Sequence, residues 1–280
     1  FERWIGQPKA SSWRWEPIRN IQTPARVESI SPAASIENET SSFHGTHHPR
    51  FAATLVTTAV VTMASYVLPE EHAATGVGFA FLAAVYGLVL RGNSSLIREH
   101  GLSLGGVLEP GAIVADKLFR DFLRALAWAV GIALVVFPLF WIGFVLWWQP
   151  AKPFSFVPPS SYTDEILGQL MVIALPEEAF YRGYLQSALD RAWAPKPDES
   201  RKPFRWFGAP LGWSAPVTSA IFALGHFLTE PNPQRLAVFF PSLLFCWLRS
   251  RTGGIGAAVL LHAFSNLFSS TLGRGYGLFP

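Results

Sequence analysis

Of 280 residues, half are hydrophobic and only 15% are charged, and the mean hydropathy is +0.27; a soluble domain carries about 25% charge, so the composition excludes an ordinary water-soluble globule. The formal net charge of +3 is spread over several segments with no basic stripe, which argues against nucleic acid as a partner and fits contact with the anionic headgroups of a lipid bilayer. A single cysteine, Cys246, excludes an internal disulfide and any metal site built on Cys pairs.

In chain order, residues 1–50 are rich in Ser, Thr, Pro and charge and read as a disordered cytoplasmic tail. Trp4, Trp13 and Trp15 with Arg14 and Arg19 are candidates for contact with the membrane surface. Apolar runs then recur at 51–68, 74–90, 122–148, 164–189, 213–229, 236–250 and 254–272, followed by a short C-terminal tail, 273–280. Lipid offers backbone groups no hydrogen bonds, so each run is expected to be a helix, and residues 51–272 an all-α, multi-pass transmembrane bundle of about seven spans. Pro176 is expected to kink or locally unwind the fourth span. Trp147 and Trp148 fit an interfacial aromatic belt.

Basic residues collect in alternate loops. Arg91, Arg98, Lys117, Arg120 and Arg124 follow the second span, Arg191, Lys196, Arg201, Lys202 and Arg205 the fourth, and Arg249 and Arg251 the sixth. The opposite connections hold only Lys152, Arg235 and Arg274. Cytoplasmic loops retain positive charge, so the N-terminus is expected inside and the C-terminus outside.

The segment Leu-Pro-Glu-Glu-Ala-Phe-Tyr-Arg, 175–182, places charge at membrane depth. Glu178 and Arg182, four apart, share a helix face and lower each other's burial cost, whereas Glu177 is turned about 100° away and needs another partner. Two later spans supply candidates: His226, and His262 with Asn266 one turn beyond it. A desolvated Glu177 suits taking a proton from water and passing it to a leaving amine, with His226 holding the same water. His262 and the Asn266 amide would donate to the oxyanion formed when water attacks a peptide carbonyl. The expected site is therefore inside the bundle, with Glu177, His226, His262 and Asn266 catalytic and Glu178 and Arg182 supporting.

On these motifs, Glu177-Glu178-x-x-x-Arg182, Phe222-x-x-x-His226 and His262-x-x-x-Asn266, the chain resembles the CPBP family of intramembrane proteases over roughly 75–272. That family holds the type II CAAX prenyl endopeptidases and bacteriocin-processing proteins. The resemblance implies a glutamic-type endopeptidase acting on a membrane-anchored protein, with Glu177 and His226 as the water-activating pair and His262 and Asn266 as the oxyanion pair. Residues 101–110, Gly-Leu-Ser-Leu-Gly-Gly-Val-Leu-Glu-Pro, resemble a loop of the myxosortase subgroup, which implies processing of C-terminal sorting signals at a bacterial inner membrane. No cofactor is expected; if zinc bound, Glu177, His226 and His262 would be its ligands, although no His-Glu-x-x-His spacing is present. A CAAX-type prenyl-protein peptidase, a non-catalytic immunity or scaffold protein, and a proton-coupled transporter are the alternatives, and the sequence carries no sign of oligomeric state.

Overall fold

The computed structural model describes residues 47–194 and 204–278. The expectations for the tail before His47, including its tryptophans and arginines, and for Lys196, Arg201 and Lys202 lie outside the described residues. The protein is mostly helical: among the described residues the strands are one antiparallel pair, β1 (Arg205–Trp206) and β2 (Ala209–Pro210).

Every expected span is a helix. α1 (His47–Val67) starts four residues before the expected start of the first run and pairs with α2 (Glu70–Val85), which continues as a π-turn over Tyr86–Leu90. The short α3 (Ser94–Glu99) and a 3-10 turn at Leu104–Gly106 lead to α4 (Ala115–Trp148), 34 residues long. A fifth helical rod runs through α5 (Tyr162–Leu167), α6 (Leu175–Glu178) and α7 (Ser187–Ala192). α8 (Ser214–Thr229), a 3-10 turn at Pro233–Val238, α9 (Phe239–Thr252) and α10 (Gly256–Tyr276) complete the bundle, the last helix passing its expected end by four residues.

Two helices, Glu70–Leu90 and Ala115–Trp148, are long and apolar enough to cross a membrane, and Ala52–Val67 is a shorter apolar one. The core helix of a soluble protein passes the same length test but is mostly buried. Here only 22% and 17% of the most apolar windows are covered by protein, and Leu134, Leu139, Ile142 and Leu146 of α4 stand exposed. Apolar helices left uncovered in this way are consistent with a membrane protein.

The unwinding expected at Pro176 takes a specific form. The helix widens into π-turns on both sides of the proline, Gly168–Ala174 and Ala179–Gln186, an accommodation that recurs at functional sites. The carbonyl one turn earlier, Val172 O, cannot receive a bond from the proline nitrogen. It faces Gly78 of α2 so closely that a Cβ there would lie 2.6 Å from it.

The basic end of the bundle is pinned by polar contacts. Arg249 Nη2 donates to Glu99 O and Ser187 Oγ at 2.9 and 3.0 Å, and Ile255 N donates to Gly101 O at 3.0 Å. Gly101 has φ 67° and lies against the Arg249 guanidinium. Within the 101–110 loop, the Ser103 hydroxyl, with Arg98 and Lys117 beside it, holds the Glu109 carboxyl below its usual range. Cys246 is a buried free thiol, as its apolar span suggests.

Candidate active site

The fifth rod turns its two adjacent carboxylates in different directions. Glu178 is fully buried, and its Oε1 accepts from Arg182 Nη1 at 2.9 Å and from His262 Nδ1 at 2.8 Å. Arg182, also fully buried, donates from Nη2 to Ser242 Oγ at 2.7 Å. Its guanidinium carbon lies 4.5 Å from the Phe222 ring centre and 5.1 Å from that of Phe245. Phe245 in turn stacks on His262, centroids 5.0 Å apart at 15°. Neighbouring helices are thus clasped around one buried ion pair, and Glu178 serves His262 as well as Arg182.

Glu177 instead lines a cavity of about 730 Å³ together with His226, His262 and Asn266. Its Oε2 is buried with no hydrogen-bond partner. It stands 4.0 Å from His226 Nε2 and 3.9 Å from His262 Nε2. On each ring the other nitrogen is engaged: His226 Nδ1 donates to Phe222 O at 3.0 Å, and His262 Nδ1 donates to Glu178. Both Nε2 atoms are therefore presented to the cavity beside Glu177, in tautomers fixed by their far-side partners.

Those separations bear on a metal. Zinc bonds of about 2.0 Å arranged tetrahedrally place ligand atoms roughly 3.3 Å apart, so 3.9–4.0 Å would need an angle of about 155–180°. A water bonded to both atoms at about 2.8 Å would subtend roughly 90°. Among the described residues no group of three His, Cys, Asp or Glu forms a metal-holding cluster. The donor types suit zinc; their spacing does not.

The fourth expected residue, Asn266, joins the cavity with its amide already engaged, Nδ2 donating to Gln169 Oε1 at 2.8 Å. Gln169 and Ser242 are not among the residues that the sequence singles out. Gln169 carries a legible signal, an amide inside an apolar run, whereas a serine in a span is too common to mark Ser242. α1 supplies no sequence candidate either, yet its Thr58, Thr62 and Ser65 form one cavity wall, and Thr62 Oγ1 is buried without a partner. Tyr181 also lines the cavity and sits against Gly225, where a Cβ would lie 2.8 Å from its hydroxyl. Gly225 thus permits a close approach of the two helices.

Residues 159–268 match the model of a family described as type II CAAX prenyl endopeptidase Rce1-like. No curated protein and no solved structure matches the chain. Every candidate site residue from Gln169 to Asn266 falls inside the matched segment, while the wall supplied by α1 and α2 falls before it. Over residues 159–268 the chain is therefore similar to the type II CAAX prenyl endopeptidases of the Rce1-like family.

Proposed function

We propose that the protein is a glutamic-type intramembrane endopeptidase in which Glu177 and His226 activate water against a peptide bond of a membrane-anchored substrate. The observation that carries this reading is the unpartnered Glu177 Oε2 between two oriented Nε2 atoms. Water donates one hydrogen to Glu177 and the other to His226 Nε2, which can only accept because its Nδ1 proton is spent on Phe222 O. The water oxygen bonds to the carbonyl carbon and the carbonyl electrons move to oxygen. Asn266 offers that oxyanion its second N–H, the first being held by Gln169.

His262, its ring oriented by the Nδ1 contact to Glu178, stands on the same cavity wall, as the second group offered to the oxyanion. Glu177 passes its proton to the amine nitrogen as the C–N bond breaks. No cofactor takes part in this scheme; stoichiometric zinc in the purified protein, lost in His226→Ala, would replace it.

We further infer seven spans in a bacterial inner membrane with a cytoplasmic N-terminus. The cavity reaches the end of the bundle that holds Glu70, Thr229 and Ser270, which this orientation turns to the periplasm and which favours processing of C-terminal sorting signals. The family description favours a second reading, a prenyl-protein peptidase, which needs cytoplasmic access. Quantitative mass spectrometry of membrane-protein C-termini, with the native protein or Glu177→Gln, tests both. Uncut precursors appearing only with the variant are expected, and their sequences assign the substrate class. No difference at equal protein abundance would end the proteolytic reading.

A further inference from the structure

We infer that Arg251, Arg124 and Arg205 form a headgroup site for one anionic phospholipid at the basic end of the bundle, with the Trp128 ring as its floor. None of these residues lines the cavity, and the site does not depend on the proteolytic reading.

Elements distant in sequence assemble it. The Arg251 guanidinium, near the end of α9, lies over the Trp128 ring of α4, 5.2 Å from its centre. It also lies against Gly208 in the turn between β1 and β2, where a Cβ would come 3.4 Å from its Nε. Gly208 has φ 78°, a conformation that favours glycine and leaves that side of the guanidinium uncrowded. Trp247 fixes the same turn: its Nε1 donates to Trp206 O at 2.9 Å, and its ring meets Trp128 edge-on, centroids 5.8 Å apart. Arg124 lies one turn before Trp128 on α4, and Arg205 opens the hairpin.

Other basic residues at this end are already engaged: Arg98 and Lys117 by Glu109, Arg120 by Asp116, and Arg249 by Glu99 O and Ser187. Among the described residues Arg124, Arg205 and Arg251 have no carboxylate partner, and all are exposed. Asp121, one turn before Arg124, forms no ion pair with it. Contact with the Trp128 face holds Arg251 without using its N–H donors, which stay free for the oxygens of a phosphate.

The depth matches a headgroup. Residues 125–148 of α4 rise about 36 Å, close to the ~30 Å of a bilayer's hydrocarbon core, which sets Arg124 at its boundary. Phe204 and Phe207, next to Arg205 and Gly208 in the chain, stand exposed, as large rings do at a membrane interface. Deeper on the Arg124 face of α4, a Cβ at Gly131 would meet nothing within 4 Å, and Leu134 and Val135 are exposed, a surface for an acyl chain. A soluble anion would use the guanidiniums and leave this apolar face bare, so the occupant is a lipid.

The test titrates the purified full chain in detergent with phosphatidylglycerol and with phosphatidylcholine of the same acyl chains, and reads bound lipid by native mass spectrometry. One phosphatidylglycerol should bind roughly tenfold tighter than phosphatidylcholine, and Arg251→Gln and Arg124→Gln should each weaken it roughly fivefold. Arg251→Lys, which keeps the charge, should restore part of that loss and so separate it from misfolding. Arg98→Gln and Arg120→Gln remove equal charge from residues already paired and should leave the affinity within about twofold. Equal affinity for the two lipids would overturn the site. So would equal losses in both pairs of variants, which would show only diffuse attraction to positive charge. Displacement by glycerophosphoglycerol, which carries the headgroup without chains, would overturn the lipid and assign a soluble phosphodiester instead.

Discussion

Replacing Arg182 by Met tests whether the site is built on a buried charge network. The Arg182 and Glu178 side chains are both 0% exposed, so the substitution strands a carboxylate that keeps only the His262 contact at 2.8 Å. It also removes the bond to Ser242 Oγ. Breaking a buried pair from one side costs about 3–5 kcal/mol, which for a chain of this size lowers the midpoint of thermal unfolding by roughly 6–20 °C. Glu178→Gln alone leaves the guanidinium uncompensated and should cost a similar amount. The double variant removes both charges while the amide introduced by Glu178→Gln still offers an acceptor to His262. It should therefore be less damaging than the two single changes summed, by about 2–4 kcal/mol. The assay is heat unfolding in nanodiscs at one scan rate for all four proteins. Arg182→Met within about 2 °C of the native protein, a shift too small for a broken buried pair, or strict additivity, would refute the view that these charges stabilise one another.

Other outcomes follow from single positions. Gly78→Ala drives a Cβ to 2.6 Å from Val172 O, a backbone atom that cannot rotate aside; about 1–3 kcal/mol of lost stability is expected in the same scans. Gly183→Ala meets only the Leu102 side-chain tip at 2.6 Å and should cost less. Gln169→Leu frees the Asn266 amide from its orienting bond, and kcat should fall roughly tenfold with KM little changed. His100 lies outside the spans, where burial, reinforced by the Arg191 and Arg249 charges, pushes it down to about 4 from 6.5. Its neutral ring accepts from Arg191 and donates to Leu96 O. Because the folded value lies below the unfolded one, its contribution is present above pH 6.5 and lost as pH falls from 6.5 towards 4, by about 1–3 kcal/mol. The slope of unfolding temperature over that window should flatten in His100→Gln.

Helix positions were legible because long apolar runs such as 122–148 and 254–272 favour a backbone that bonds internally. The polar residues were legible for a related reason. Charge inside an apolar run is costly, so Glu177, Glu178, Arg182, His226 and His262 stand out, and their order along the chain, with Asn266, carries the family resemblance. Spacing alone also paired Glu178 with Arg182, since an i,i+4 contact is local. Everything that depends on which helices are neighbours was decided by tertiary packing. Glu178 Oε1 serves His262, 84 positions later; Asn266 is oriented by Gln169, 97 positions earlier; and α1 closes a wall of the cavity from outside the matched domain. An apolar surface presents nearly the same face to lipid as to protein, so hydropathy reports that a helix is apolar but not what it touches. The response to Pro176 was hidden in the same way: the proline predicts a missing hydrogen bond, but only the packing around it, with Gly78 set against Val172 O, decides that the helix answers by widening into π-turns.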